Sequence, residues 1–197
     1  MNRKVKSIMA EHPLVLVFDT ETSGIKAGLN TVLSLSWQLI DTSAWVTVEE
    51  ESRYFDWPDD AKVRVSSRAI EVNGLTRERL KELGTTTVNA GVSDFDNALS
   101  RAGLAVAHNA TFDIPFVNHM YIEAGLSVPK WPETYDTMRE MTDFCAIPGY
   151  YGDYKWPKLV ELADCLGVDD SDIDYHQSAA DVELTARCFR EIVVRGY

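Results

Sequence analysis

Leu14-Val15-Leu16-Val17-Phe18 runs directly into Asp19-Thr20-Glu21-Thr22-Ser23-Gly24, and this junction limits the possible folds more than any other stretch of the chain. An apolar, β-favouring run without polar alternation describes a strand covered on both faces, which a sheet provides at its centre. Ending such a strand in acids and a glycine puts charge at its carboxyl end, where open α/β sheets hold their ligands.

Two more strand-like stretches follow, Val32 to Ile40 and Trp45 to Phe55, and the polar group Asp41-Thr42-Ser43 between them reads as a hairpin. The first three strands therefore form an antiparallel meander. After Trp57-Pro58-Asp59-Asp60 come short helices and loops through Asn73-Gly74-Leu75-Thr76, then a helix from about Val92 to Arg101 and a fourth strand, Leu104 to Ala107. Helices are expected at about Phe112 to Ala124, with Pro115 near the start, and at Thr137 to Phe144. Trp156-Pro157-Lys158 opens a further helix that Gly167 ends, and the last spans Ala179 to Val194. This order predicts a mixed α/β sheet. With no repeat, low-complexity tract or linker, residues 1–197 read as one domain.

Hydrophobic residues at 45% and charged residues at 25% exclude a disordered, collagen-like or disulfide-scaffold chain. Cys145, Cys165 and Cys188 form no C-x-x-C pair, so neither a disulfide framework nor a cysteine zinc site is expected. The basic start, Met1 to Lys6, is followed by an apolar run too short for a signal segment or membrane span. A cytoplasmic protein with no membrane partner is the expectation. A net charge of −12 opposes binding to phosphates, unless many of the acids hold divalent cations that reverse the local field. Arg64, Arg68, Arg77, Arg79, Lys155 and Lys158 are basic groups available to a polyanion.

Three acidic constellations carry possible chemistry. In an extended strand Asp19 and Glu21 share one face and invite a cation, although Glu49/Glu51, Asp94/Asp96 and Asp170/Asp172 repeat that spacing in an acidic chain. Asp113, in His108-Asn109-Ala110-Thr111-Phe112-Asp113, enters a helix where an acid also suits the macrodipole and needs no other duty. His176 and Asp181 are five residues apart, about 140° around a helix. They share a site only if His176 precedes the helix, with Ser178 as N-cap and Asp181 in the first turn, and capping alone also explains Asp181. Asp170, Asp172 and Asp174 lack the glycine and closing glutamate of a calcium loop. Tyr150, Tyr151, Tyr154 and Trp156 could stack on bases or pack on one another.

In this order the segments resemble the motifs of the DEDDh branch of the DnaQ-like 3′→5′ exonucleases. Asp19-x-Glu21-Thr22-x-Gly24 is similar to the first, Asn109-x-x-Phe112-Asp113 to the second and His176-x4-Asp181 to the third. Between them, Val72-Asn73-Gly74-Leu75-Thr76, Tyr135-Asp136-Thr137 and Trp156-Pro157-Lys158-Leu159 also resemble family segments. The resemblance implies an RNase H-like fold, a mixed five-stranded sheet of one three-strand meander plus parallel strands flanked by helices.

It further implies a metal-dependent phosphodiester hydrolase with two Mg²⁺ or Mn²⁺ ions on Asp19, Glu21, Asp113 and Asp181, and His176 as general base. An imidazole with a pKa near about 6.5 suits that task when neutral. Thr22, Asn73, Leu75 and Asn109 are the implied substrate contacts, although Leu75 also reads as an ordinary core leucine. The implied partner is a nucleic-acid 3′ end, single-stranded DNA before RNA, with a polymerase partner possible. The alternatives are a short-RNA exonuclease of the oligoribonuclease kind and a non-catalytic binding module on the same fold. The Pro148 to Tyr154 insertion is less typical of the family.

Overall fold

The computed structural model describes residues 3–173 and 177–197. A helix, α1 (Arg3–Glu11), precedes the meander β1 (Leu14–Thr22), β2 (Val32–Asp41) and β3 (Val46–Tyr54). Then come α2 (Ser67–Asn73), α3 (Arg77–Leu83), α4 (Val88–Arg101), β4 (Leu104–Ala107), α5 (Ala110–Glu123) and β5 (Glu133–Asp136). The chain ends with α6 (Thr137–Glu140), α7 (Thr142–Cys145), α8 (Leu159–Leu166) and α9 (Ser178–Arg195). The sheet order is β3-β2-β1-β4-β5, so the acid-tipped strand is central as its apolar run predicts. β1 pairs antiparallel with β2 and parallel with β4, which pairs parallel with β5. This is the mixed five-stranded sheet expected.

Alternation along β1 assigns each residue to a layer. Leu16 and Phe18 pack with Phe95 of α4 and Phe116 of α5. Val15 and Val17 pack with Leu162 of α8 and with Val182 and Phe189 of α9. Continued to the strand's end, this alternation turns Thr20 toward α5, and Asp19 and Glu21 toward α9.

Several local expectations need correction. α4 begins at Val88, four residues before the expected start. The helix expected over Thr137 to Phe144 breaks at Met141, whose φ of −101° and ψ of 6° leave the helical region. Lys158 is the N-cap of α8 and lies outside it. Ser178 is not an N-cap: Gln177 occupies that position, and Ser178 is the first helical residue. No helix among the described residues is long and apolar enough to cross a membrane.

Candidate active site

β1 stays extended through Thr22, so Asp19 and Glu21 project from the same face. α9 crosses that face and carries Asp181 in its first turn. One carboxylate oxygen from each of Asp19, Glu21 and Asp181 lies within 4.8 Å of the others. Burial is the first cause that raises the Asp19 pKa well above the ordinary range, and the charges of Asp113, Asp181 and Glu21 add to it. Glu21 is pushed up to about 8, first by burial and then by Asp181. Partly buried like charges held this closely favour a bound cation or shared protons. The donor set is all oxygen, which fits a hard divalent ion.

Asp113 stands apart from that trio but close enough for its charge to act on Asp19. It is 2% exposed, in the first turn of α5. Its Oδ1 accepts the Thr20 backbone N–H at 3.1 Å and the Thr20 hydroxyl at 2.7 Å. Burial lifts its pKa to about 7 against the lowering effect of these two bonds.

His176 lies outside the described residues. Asp181, five positions later, is described.

Beside the trio is a cavity of about 210 Å³, lined among others by Glu21, Tyr54, Asn73, Leu75, Arg79 and Ser178. Asn73 braces it. Its Nδ2 donates to the Thr22 carbonyl at 3.1 Å, its Oδ1 accepts from Leu75 N–H at 3.0 Å, and it hydrogen-bonds Glu21. Leu75 lines the cavity and packs with Leu33 and Leu80. The Thr22 hydroxyl donates to the Gly24 carbonyl. Gly24 itself is required, since a Cβ there would meet the Asn30 carboxamide at 2.4 Å.

Asn109 is the N-cap of α5 at φ 75°, ψ 47°, a left-handed conformation that asparagine tolerates. Its N–H donates to Asp136 Oδ1 at 3.1 Å, and its side chain accepts from the Thr111 hydroxyl. His108 is half-buried and held below its ordinary pKa by desolvation, its ring between the Thr137 hydroxyl and the Pro157 carbonyl. Most of the basic groups offered by the sequence are engaged. Arg68 pairs with Glu71, Arg77 with Asp59, Arg79 with Glu82 and Lys155 with Glu161.

Sequence reasoning gave no role to Thr20, or to Asp136 beyond its place in a family-like segment, and these two hold the second motif in place. It also missed a chain of buried hydroxyls. Ser178 Oγ lies 2.9 Å from Ser34 Oγ and 2.7 Å from Ser36 Oγ, and Ser36 Oγ lies 2.8 Å from Ser52 Oγ. The alternation of Ser34, Ser36 and Gln38 with Leu33, Leu35 and Trp37 was the available signal, because it marks a polar face on a buried strand.

The carboxylate trio lies at the end of the central strand of a mixed sheet of order β3-β2-β1-β4-β5. The chain belongs to the RNase T exonuclease family, whose family model matches residues 16–189. It is 29% identical over 178 residues to a PolC-type DNA polymerase III from Halalkalibacterium halodurans, covering 90% of this chain and 11% of that protein. To the PolC-type enzyme of Streptococcus suis it is 27% identical, covering 87% and 10%. Its fold matches E. coli exonuclease I in complex with a dT13 oligonucleotide, with a TM-score of 0.77 and 18% identity over 92% of this chain and 41% of that one. A zinc-bound form of exonuclease I with single-stranded DNA gives 0.76 and 18%, over 93% and 41%. The chain thus spans about a tenth of these polymerases and about two-fifths of exonuclease I.

Proposed function

We propose that this chain is a 3′→5′ exonuclease of the DEDDh branch, a single domain acting in the cytoplasm that releases 5′-mononucleotides from a single-stranded 3′ end, DNA before RNA. The observation that carries this reading is the convergence of Asp19, Glu21 and Asp181 within 4.8 Å beside the Asn73–Leu75 cavity. Preference for DNA is supported by the DNA polymerases and the DNA-bound exonuclease I among the similar proteins.

Asp19, Glu21 and Asp181, with Asp113 alongside, would hold two Mg²⁺ or Mn²⁺ ions. When bound, these would supply positive charge that offsets the negative charge building on the phosphate and leaving oxygens. His176, neutral, takes a proton from the attacking water. The water oxygen forms its bond to phosphorus, the bond from phosphorus to the 3′ oxygen of the penultimate nucleotide breaks, and that oxygen ends as a hydroxyl. Asn73 and Leu75 hold the terminal nucleotide, and Thr22 and Asn109 fix the strand through the backbone turns they stabilise.

The test is a 5′-labelled single-stranded oligonucleotide incubated with Mg²⁺, with chelator, and with Asp19→Ala in place of the parent chain. A ladder that shortens from the 3′ end, needs the metal and is absent in the variant is expected. Equal cleavage by variant and parent defeats the role given to Asp19, and internal cuts without a ladder indicate an endonuclease. A matched RNA oligomer separates the oligoribonuclease alternative.

A further inference from the structure

The hairpin from Pro148 to Tyr154 displays two large rings that the fold does not use. Tyr150 and Tyr151 are 94% and 91% exposed, edge to face with centroids 5.2 Å apart. The backbone and glycines shape this hairpin. Gly149 N–H donates to the Asp153 carbonyl at 2.7 Å, and Lys155 N–H to the Ile147 carbonyl at 3.0 Å. A Cβ at Gly149 would lie 2.7 Å from the Asp153 oxygen, and Gly152 sits at φ 90°. A turn built this way has no need of aromatic tips.

The base of the hairpin is joined to the site. The Arg139 guanidinium lies 4.5 Å from the Trp156 ring centroid and donates to the Thr111 hydroxyl at 3.2 Å. The Pro157 carbonyl bonds the His108 ring. Thr111 is in the first turn of α5, which carries Asp113. The base of the aromatic segment is thus tied to the turn of α5 that carries Asp113, while Asn73 and Leu75 line the cavity together with Glu21.

Resting on the exonuclease reading and deepening it, we infer that Tyr150, Tyr151 and Trp156 form a stacking platform for the unpaired bases upstream of the terminal nucleotide. The occupant follows from chemistry. Exposed rings suit the π-faces of single-stranded bases, which a duplex hides. The overall charge of −12 and the Lys155–Glu161 pair oppose a hold through the strand's phosphates as much as one on an anionic membrane, so the rings are left to engage the bases. Stacking, more than ion pairing, holds the strand here, so affinity depends only weakly on salt.

The test compares KM and kcat on a dinucleotide and on a longer single-stranded DNA for the parent chain, Tyr150→Ala/Tyr151→Ala and Tyr150→Phe/Tyr151→Phe. Both positions are exposed, so the variants keep the fold. The alanine pair should raise KM on the longer strand about tenfold or more, leave kcat and the dinucleotide KM unchanged, and be rescued by phenylalanine. A strand with abasic upstream positions should bind the parent as weakly as the normal strand binds the alanine pair. Unchanged KM on the longer strand, or an equal rise on both substrates, overturns the platform. A parent that shortens neither substrate defeats the exonuclease reading itself.

Discussion

Thr20 gives both its hydroxyl and its backbone N–H to one oxygen of Asp113, at 2.7 and 3.1 Å, across 93 residues of sequence. The central strand thereby fixes the rotamer of an acid on α5, and two of the acidic motifs meet through a residue with no charge. Thr20→Val keeps the shape and removes the hydroxyl donor. A buried acceptor losing one partner costs about 1–3 kcal/mol, so urea unfolding should show that loss, together with lower kcat. An unchanged unfolding midpoint and unchanged kcat contradict this role.

Glu21 at about 8 and Asp113 at about 7 titrate well above the values of about 4 they take in an unfolded chain. Asp19 shifts in the same direction. Between those limits the folded chain binds more protons than the unfolded one, so stability falls as pH rises. The metal-free protein should melt at a higher temperature near about pH 6 than near about pH 8, and added Mg²⁺ should narrow the gap by neutralising the carboxylates at the higher pH. A metal-free melting temperature that rises over this interval contradicts the shifts.

Ser178 ties the first turn of α9 to β2 through Ser34 and Ser36. Ser178→Ala takes from Ser34 Oγ its Ser178 partner, leaves Ser36 Oγ with Ser52, and frees the turn that carries Asp181. A stability loss of about 1–3 kcal/mol is expected. Calorimetric titration should also show weaker Mn²⁺ binding, an effect that general destabilisation of a still-folded protein does not produce. Unaltered Mn²⁺ affinity confines the hydroxyl chain to holding the fold.

Gly24→Ala sets a methyl group into the Asn30 carboxamide, which donates to the Arg64 carbonyl and accepts from Lys26 N–H. Overpacking of this kind costs about 1–3 kcal/mol. The double change Gly24→Ala/Asn30→Ala should recover part of it in thermal melts, and a strictly additive double variant argues against the clash.

The sequence made the centre of the fold readable because β1 is apolar on both faces and then abruptly acidic. The edges were harder. β5 is only Glu133–Asp136, with Tyr135 alone buried, and α1 buries only Val5, so neither has a strong pattern. Ser178 was misplaced as a cap because its hydroxyl has better partners on β2, which local spacing cannot reveal. The acids were visible as types and spacings. Their meeting depends on α9 crossing the face of β1 that bears Asp19 and Glu21, and the Thr20–Asp113 contact depends on α5 covering the opposite face.

The most direct test of the central claim is Mn²⁺ binding by calorimetry to the parent chain, Asp19→Asn, Glu21→Gln, Asp181→Asn and, as a control, the exposed Glu78→Gln. Each of the first three substitutions should weaken binding at least about tenfold and remove most of the metal-induced rise in melting temperature, while Glu78→Gln leaves both intact. Parent-like binding in all three site variants would contradict a shared cation site at the end of β1.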